Sequence, residues 1–312
     1  MRQRRNVLWG VIAAGVAAAW LLLTLEVLPP GIADVLGRAW SAVLVLLGFS
    51  LLLRNRLPLS GVIAIVLTGV LVAGVAVTAY STRAGQPRDD LVQPIQQRVG
   101  AGVSLMQVNL ALLTTTLEIE LAPPASIEGE FIGSQQSSVT VDYIEDNAGR
   151  AVLTITETKP EGLPPLEAVG RGALRLTLPP DVPLDIAFTG VAGNATLNLG
   201  GMAVERLNLD LQSGDALVTL PEYEPRSQSV RDDPGTLRAR SGNLTLFIPA
   251  NVAAQLELET GSRSAPQFDS TRYDYIGGAL LQDRRYATSD VAIKLAYVVA
   301  APAGALTIET TP

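Results

Sequence analysis

Two pairs of neighbouring acids, Asp89-Asp90 and Asp232-Asp233, are the first residues whose type and spacing could carry a reaction. Glycoside hydrolysis runs on two carboxylates, and some sugar-cleaving enzymes are β-helical, so the pairs raise a carbohydrate-active enzyme as one hypothesis. Their surroundings argue against it. Asp89-Asp90 follows Pro87 in a polar stretch, and Asp232-Asp233 runs into Pro234-Gly235, so both read as solvated turns. Acidic loops can also hold calcium, but "DNAG" at 146–149 and "RDDPG" at 231–235 lack the dense acid spacing of a dedicated loop. The chain contains no histidine and no cysteine. That excludes Ser/His/Asp and Cys/His nucleophiles, thiol chemistry and disulfides, and it removes the commonest zinc ligand. No glycine-rich phosphate loop precedes a helix. The expectation is a non-enzyme with no cofactor and no metal.

Recognition chemistry gathers instead in "SAPQFDSTRYDYIGGALLQDRRYATSD", residues 264–290, which joins Phe268, Tyr273, Tyr275 and Tyr286 to Arg272, Arg284 and Arg285. Tyrosine and arginine dominate binding hot spots because they bury a large area and keep a polar handle. Tyr273, Tyr275, Arg284 and Arg285 are the candidate partner contacts. A plainer reading is a hairpin that turns at Gly277-Gly278 and packs its aromatics across the end of the domain.

The elements that must position these residues come from a repeat. "GALRLTLPP", "GNATLNL", "GDALVTLP" and "GNLTLFIP" begin at Gly172, Gly193, Gly214 and Gly242, spaced by 21, 21 and 28 residues. Apolar residues alternate within and between the copies: Leu174, Leu176 and Leu178, then Leu184, Ile186 and Phe188, then Leu207, Leu209 and Leu211. Each run is a strand with one buried face, and a 21-residue unit holds two strands and two turns. Gly172, Gly193-Asn194, Gly214-Asp215, Gly242-Asn243 and a late Gly304 fall where the chain must turn, since glycine accepts positive φ and Asn or Asp bonds nearby backbone. One unit cannot bury its face alone, whereas stacked copies can, so the fold class is an all-β C-terminal domain, preferably a β-solenoid. An antiparallel β-sandwich is the alternative. "TLEIELAPP" and the terminal "GALTIETTP" are the expected solenoid ends, with proline as edge blocker.

Ahead of the repeats, residues 1–80 are almost unbroken apolar sequence. Three stretches, about Val7–Leu25, Val35–Leu53 and Leu59–Tyr80, suit the ~20 residues of a membrane-spanning helix. Residues 1–80 are therefore expected as a three-span α-helical transmembrane region, 81–98 as a linker and 99–312 as the β domain. A cleaved signal peptide shares the basic start, but "LLLTL" continues the apolar run past the cleavage site. Arg2, Arg4, Arg5, Arg54 and Arg56 mark the cytoplasmic side, which puts the N-terminus inside the cell and the β domain outside it. Were the second stretch only re-entrant, the β domain would face the cytoplasm. Beyond Tyr80 there are 17 basic and 28 acidic residues, a balance that repels nucleic acid.

The glycine-punctuated strands from "LPPDVPLDIAF" to "GDALVTLP", behind a multi-span apolar start, resemble the toast-rack family of bacterial membrane-tethered β domains, which includes LiaF-like proteins of the cell-envelope stress response. The closing "YATSDVAIKLAYVVAAPAGALTIE" resembles the end of that family, with Gly304 before the last strand. The resemblance implies a bacterial cell-membrane protein that senses or regulates at the envelope through a protein partner, and it transfers no catalytic residues. A structural or adhesive module that assembles with its own copies is the alternative.

Overall fold

The computed structural model describes residues 70, 73–74, 76–133, 137–158, 169–226, 235–259, 265–288 and 293–311. The chain divides into two compact units, Met1–Gln86 with Pro160–Gly170, and Pro87–Lys159 with Arg171–Pro312. In the first, residues 76–84 are helical. Among the described residues no helix is long and apolar enough to cross a membrane. The three expected spans lie almost entirely outside the described residues.

The second unit is built of strands. In chain order they are β1 (Leu91–Arg98), β2 (Leu105–Leu112), β3 (Thr115–Leu121), β4 (Ser126–Gly133), β5 (Ser138–Glu145), β6 (Arg150–Thr158), β7 (Gly172–Leu178), β8 (Leu184–Gly190) and β9 (Ala195–Asn198). They continue as β10 (Val204–Leu211), β11 (Ala216–Thr219), β12 (Gly235–Ala239), β13 (Leu244–Pro249), β14 (Val252–Leu258), β15 (Tyr273–Ile276), β16 (Leu280–Asp283), β17 (Ile293–Ala300) and β18 (Leu306–Thr311).

These strands form a sheet of eight, ordered β1-β4-β7-β3-β9-β11-β13-β18, and a sheet of ten, ordered β15-β16-β14-β17-β12-β10-β8-β2-β6-β5. The chain runs along the sheet of ten, crosses, returns along the sheet of eight, and stacks the next such rung in parallel. Rungs β8/β9 and β10/β11 keep one offset on both sheets: Ile186 lies beside Leu207 and Ala195 beside Ala216, each 21 positions on. From β10/β11 to β12/β13 the shared offset is 28, and from there to β17/β18 it is 62. From β8 onward the crossing from the sheet of ten is short every time, at 191–194, 212–215, 240–243 and 301–305, whereas the earlier one from β6 to β7 takes 159–171. The return varies, from 199–203 to 220–234 to the whole of 250–292. Parallel stacking makes the centre a solenoid, and antiparallel pairing is confined to its ends. There β5 caps β6, β4 and β1 cap β7, and the β15–β16 hairpin caps β14.

The alternating apolar residues fill the space between the sheets. Leu174, Leu176, Leu184, Ile186, Leu197, Leu207, Leu209, Val218, Leu244 and Leu246 are all essentially inaccessible to solvent. Each such side chain contributes roughly 1.5–3 kcal/mol of transfer free energy.

Three sequence expectations change. The equal 21-residue steps at Gly172, Gly193 and Gly214 do not mark three adjacent rungs, because β3, from earlier in the chain, lies between β7 and β9. "TLEIELAPP" is therefore interior rather than an end, whereas the terminal "LTIETT" does form a border strand. The expected linker is shorter too, since Leu91–Arg98 is β1, paired with β4 over its whole length. Pro94 and three glutamines made that stretch read as coil. A border strand tolerates proline because the missing N–H lies on the unpaired side.

Candidate functional site

The repeated glycines form a column through the short crossings. A Cβ on Gly214 would approach the Gly193 carbonyl oxygen to well under 3.0 Å, and one on Gly242 would meet the Gly214 carbonyl in the same way. Gly304 meets Gly242 likewise. Gly193 stands over Thr115, which β3 supplies in place of a glycine, and Gly172 lies on the other side of Thr115. At Gly193 and Gly214, φ is 128° and 126°, outside the range that side chains favour. Beside the column runs a ladder of side-chain acceptors. Asn194 Oδ1 accepts from the Asp215 N–H at 3.1 Å, Asp215 Oδ1 from the Asn243 N–H at 2.8 Å, and Asn243 Oδ1 from the Ala305 N–H at 2.9 Å. The Gly-Asx pairs thus bind rung to rung, a role that turn chemistry alone did not reveal.

At the other candidate cluster, β15 and β16 form the expected hairpin, with positive φ at Gly277 and Gly278. The structure separates the four candidate contacts. Tyr273 is 1 % exposed. Arg285 donates from Nη2 to Asp283 Oδ2 at 2.8 Å and from Nη1 to the Ala250 carbonyl at 2.8 Å. Arg272 reaches the same carboxylate from Nε at 2.8 Å and donates through Nη2 to the Pro249 and Val252 carbonyls at 3.1 and 2.5 Å. Together the two guanidiniums satisfy carbonyls of the tight turn between β13 and β14. Burial pushes the Asp283 carboxyl up, but the hydrogen bonds from Arg285 and Arg272 outweigh it and hold the group below the usual carboxylate range. Tyr273 packs within this charged cap, its ring centroid 5.2 Å from the Arg272 guanidinium. Its hydroxyl is buried and has no hydrogen-bond partner among the described residues.

Arg284 and Tyr275 point the other way. Arg284 pairs with Asp274 at 2.8 Å, with both side chains about half exposed. Tyr275 is 46 % exposed and meets Phe268 edge-on at 5.4 Å, next to Ile276 at 47 %. Sequence reasoning missed Asp283 as the centre of the cap. The signal was "QDRRY", an acid placed two residues from one arginine and, across the hairpin, beside another.

Where β12 begins between β10 and β17 there is a cleft of about 220 Å³ lined by Glu205, Arg206, Glu224, Tyr286, Lys294 and Tyr297. Most of its polar atoms are engaged: Glu205 accepts from the Tyr223 hydroxyl at 2.6 Å, and Lys294 donates to the Thr288 carbonyl at 2.9 Å. Burial and the hydrogen bond to Glu205 push the Tyr223 hydroxyl up to about 12. Among the described residues no group of three or more His, Cys, Asp or Glu could hold a metal ion. Asp90 pairs with Arg88, and Asp146 Oδ1 accepts from the N–H groups of Ala148 and Arg150, closing a turn. Asp232-Asp233 lies outside the described residues.

A two-sheet parallel β-solenoid, closed at both ends by antiparallel strands and stitched by a glycine and Asx column, is the class this architecture defines. The family model for the N-terminal domain of toast_rack (DUF2154) matches residues 88–261, more than half of the 312 residues, and the chain belongs to that family. A Clostridium sporogenes protein described as a "putative cell adhesion protein" has a similar fold, with a TM-score of 0.59 at 16% identity, covering 71% of this chain and 100% of its own. A Bacteroides fragilis "putative adhesin" aligns at a TM-score of 0.24 and 10% identity, covering 73% of this chain and 100% of its own, too low to bear on the fold. Among curated proteins none matches.

Proposed function

We propose that the chain is a membrane-anchored, non-enzymatic β module that senses or regulates at the bacterial cell envelope through a protein partner. The observation that carries this reading is the use of the repeated motif. Gly193, Gly214, Gly242 and their Asx neighbours are consumed in contacts between rungs, so the motif builds a stiff rod and not a reaction centre. The exposed hairpin tip, with Tyr275, Ile276 and Arg284, is the surface proposed to meet the partner. The apolar, arginine-flanked start supports anchoring with the β unit outside the cytoplasm.

A photo-crosslinking residue at position 275 tests this in intact cells, with position 245 on the outer face of β13 as control. The reading expects an adduct to a different polypeptide from 275 alone. No adduct, or equal labelling from both positions, would overturn it. Protease shaving of spheroplasts carrying a C-terminal tag tests the side of the membrane separately: loss of the tag in intact cells is expected.

A further inference from the structure

β12 pairs with β10 on one side and with β17 on the other, setting Leu237 beside Leu209 and Gly235 beside Tyr297. β10 begins at Val204 and β17 at Ile293, so the first residues of both run on past Gly235 with no described strand between them. That notch is the cleft of about 220 Å³. Gly235 closes its inner end, packed too tightly for any side chain. A methyl group there would run into the Leu207 carbonyl and come within 3.1 Å of Tyr297 Cε1.

Tyr297 is the unusual member of this lining. It stands on the face of β17 that carries the buried Leu295 and Val299, and it is only 5 % exposed. Its hydroxyl nevertheless bonds to none of the described residues, and burial alone pushes it up. The group stays protonated, a donor and an acceptor left over where buried polar atoms are normally paired. The charges around it are already balanced. Glu205 and Glu224 face Arg206 and Lys294. Glu205 accepts from the Tyr223 hydroxyl and from the Arg226 N–H at 3.0 Å, and Arg206 stands beside Asp185 on β8. Lys294 donates to the Thr288 carbonyl, with its Nζ 5.7 Å from the Tyr286 ring centroid. A net cation or anion entering the cleft would have to break one of these pairs. What the cleft still offers is the aromatic surface of Tyr286 and Tyr297, the Tyr297 hydroxyl and spare carboxylate lone pairs.

We infer that this cleft binds one neutral pyranose unit, with sugar hydroxyls bonded to Tyr297 Oη and to the Glu205 and Glu224 carboxylates and a C–H face of the ring against Tyr286. A pyranose carries no charge, presents an apolar C–H face to an aromatic wall, and has edge hydroxyls that both donate and accept. Apolar walls with a few polar groups that fix orientation are the usual make-up of a small-molecule site. The volume lies below the ~300–1,000 Å³ of a site for a drug-sized molecule, which limits the occupant to a single ring. The inference goes beyond the regulatory reading, which uses the hairpin tip, and stands without it.

The test is saturation-transfer difference NMR on the full-length chain in a detergent without a sugar headgroup. The probes are glucose, N-acetylglucosamine, maltotetraose and chitotetraose, with argininamide and inorganic phosphate as charged comparisons. At least one sugar should give a saturable signal and neither charged probe should compete with it. Tyr297→Phe keeps the ring and removes only the hydroxyl, so it should weaken that sugar about 2- to 12-fold, the worth of one net hydrogen bond, with unchanged far-UV circular dichroism. Tyr286→Ala, which removes the aromatic wall, should abolish the signal. Equal affinity for a free sugar and its tetrasaccharide supports the site as one for a free monosaccharide, and a tetrasaccharide preference supports it as one for a unit within a glycan chain. Binding by none of the four sugars overturns the inference and leaves water as the partner of the Tyr297 hydroxyl. Unchanged affinity in Tyr297→Phe, or tighter binding of argininamide or phosphate than of every sugar, overturns it as well. If either variant fails to fold, the other decides.

Discussion

Gly214→Ala should destabilise the β unit severely, and two contributions set the size. The first is conformational: φ at Gly214 is 126°, and holding a non-glycine residue in such a region costs about 1–3 kcal/mol. The second is steric. The new methyl group would lie well under 3.0 Å from the Gly193 carbonyl oxygen, so the rungs must part or shear, and overpacking of this kind costs about 1–3 kcal/mol. The expected loss is the sum, about 2–6 kcal/mol, against a total stability of roughly 5–15 kcal/mol for a typical domain. Gly277→Ala separates the two contributions, because Gly277 also has positive φ, at 66°, but open space around its Cβ position. It should lose only about 1–2 kcal/mol. The assay is urea unfolding of the full chain followed by far-UV circular dichroism. Tryptophan fluorescence is unsuitable, since Trp9, Trp20 and Trp40 all precede the β unit. Gly214→Ala should lower the midpoint further than Gly277→Ala, by the equivalent of the steric ~1–3 kcal/mol, with the slope unchanged. Equal losses would refute the reasoning, because they would mean that the added methyl group meets nothing and that the glycines are not in contact between rungs.

Asp283→Asn leaves the largely buried Arg272 guanidinium, and the more exposed one of Arg285, without their buried counter-charge and should lose about 3–5 kcal/mol at pH 7, measured by urea unfolding. Because the folded carboxyl is held low, its contribution is complete above the unfolded value near ~3.9 and disappears as pH falls through the folded value, so the variant should show a flatter acid limb. Tyr273→Phe removes a buried hydroxyl that has no partner among the described residues and should be neutral or raise stability by up to about 1–3 kcal/mol, read as an increase in Tm. Burial pushes the Tyr273 hydroxyl up to about 12, so its contribution is present below the unfolded value near ~10 and is lost as pH rises from there through the folded value. Tyr273→Phe should therefore also lessen the alkaline loss of stability. Leu246→Ala opens a cavity between the two sheets and should cost about 2–5 kcal/mol, whereas Leu217→Ala, on the outer face of β11, should stay within about 0.5 kcal/mol in the same unfolding assay.

The strands were legible because one-sided burial writes itself as alternation: Leu174, Leu176 and Leu178 could face only one way. The Gly-Asx pairs were legible as turns but not as a ladder, since the hydrogen bond from the Asp215 N–H to Asn194 joins residues that only stacking brings together. Spacing along the chain measures residues per rung and not spatial adjacency, so nothing near Gly172 announced that β3 would slip in beside β7. β1 was hidden by Pro94, whose cost depends on whether a neighbour needs its N–H. In the hairpin cluster, composition marked the residues but could not sort them. Arg285 turns in because the β13–β14 turn leaves carbonyls that need donors, whereas Arg284 turns out to Asp274 and the Ser270 carbonyl.

The unequal treatment of the two crossings bears on how such a protein can change. Every crossing at 191–194, 212–215, 240–243 and 301–305 is held to a few residues by the glycine column, while the opposite crossings range from five residues to a segment long enough to contain β14, β15 and β16. Insertions on that second rim leave the register on both sheets untouched, as the matched offsets of 28 and 62 demonstrate. From β8 onward the solenoid therefore has a conservative rim and a permissive one. New loops, and with them new binding specificities, can be added along the permissive rim without renegotiating the core, and a foreign segment grafted there should be carried at little cost to folding.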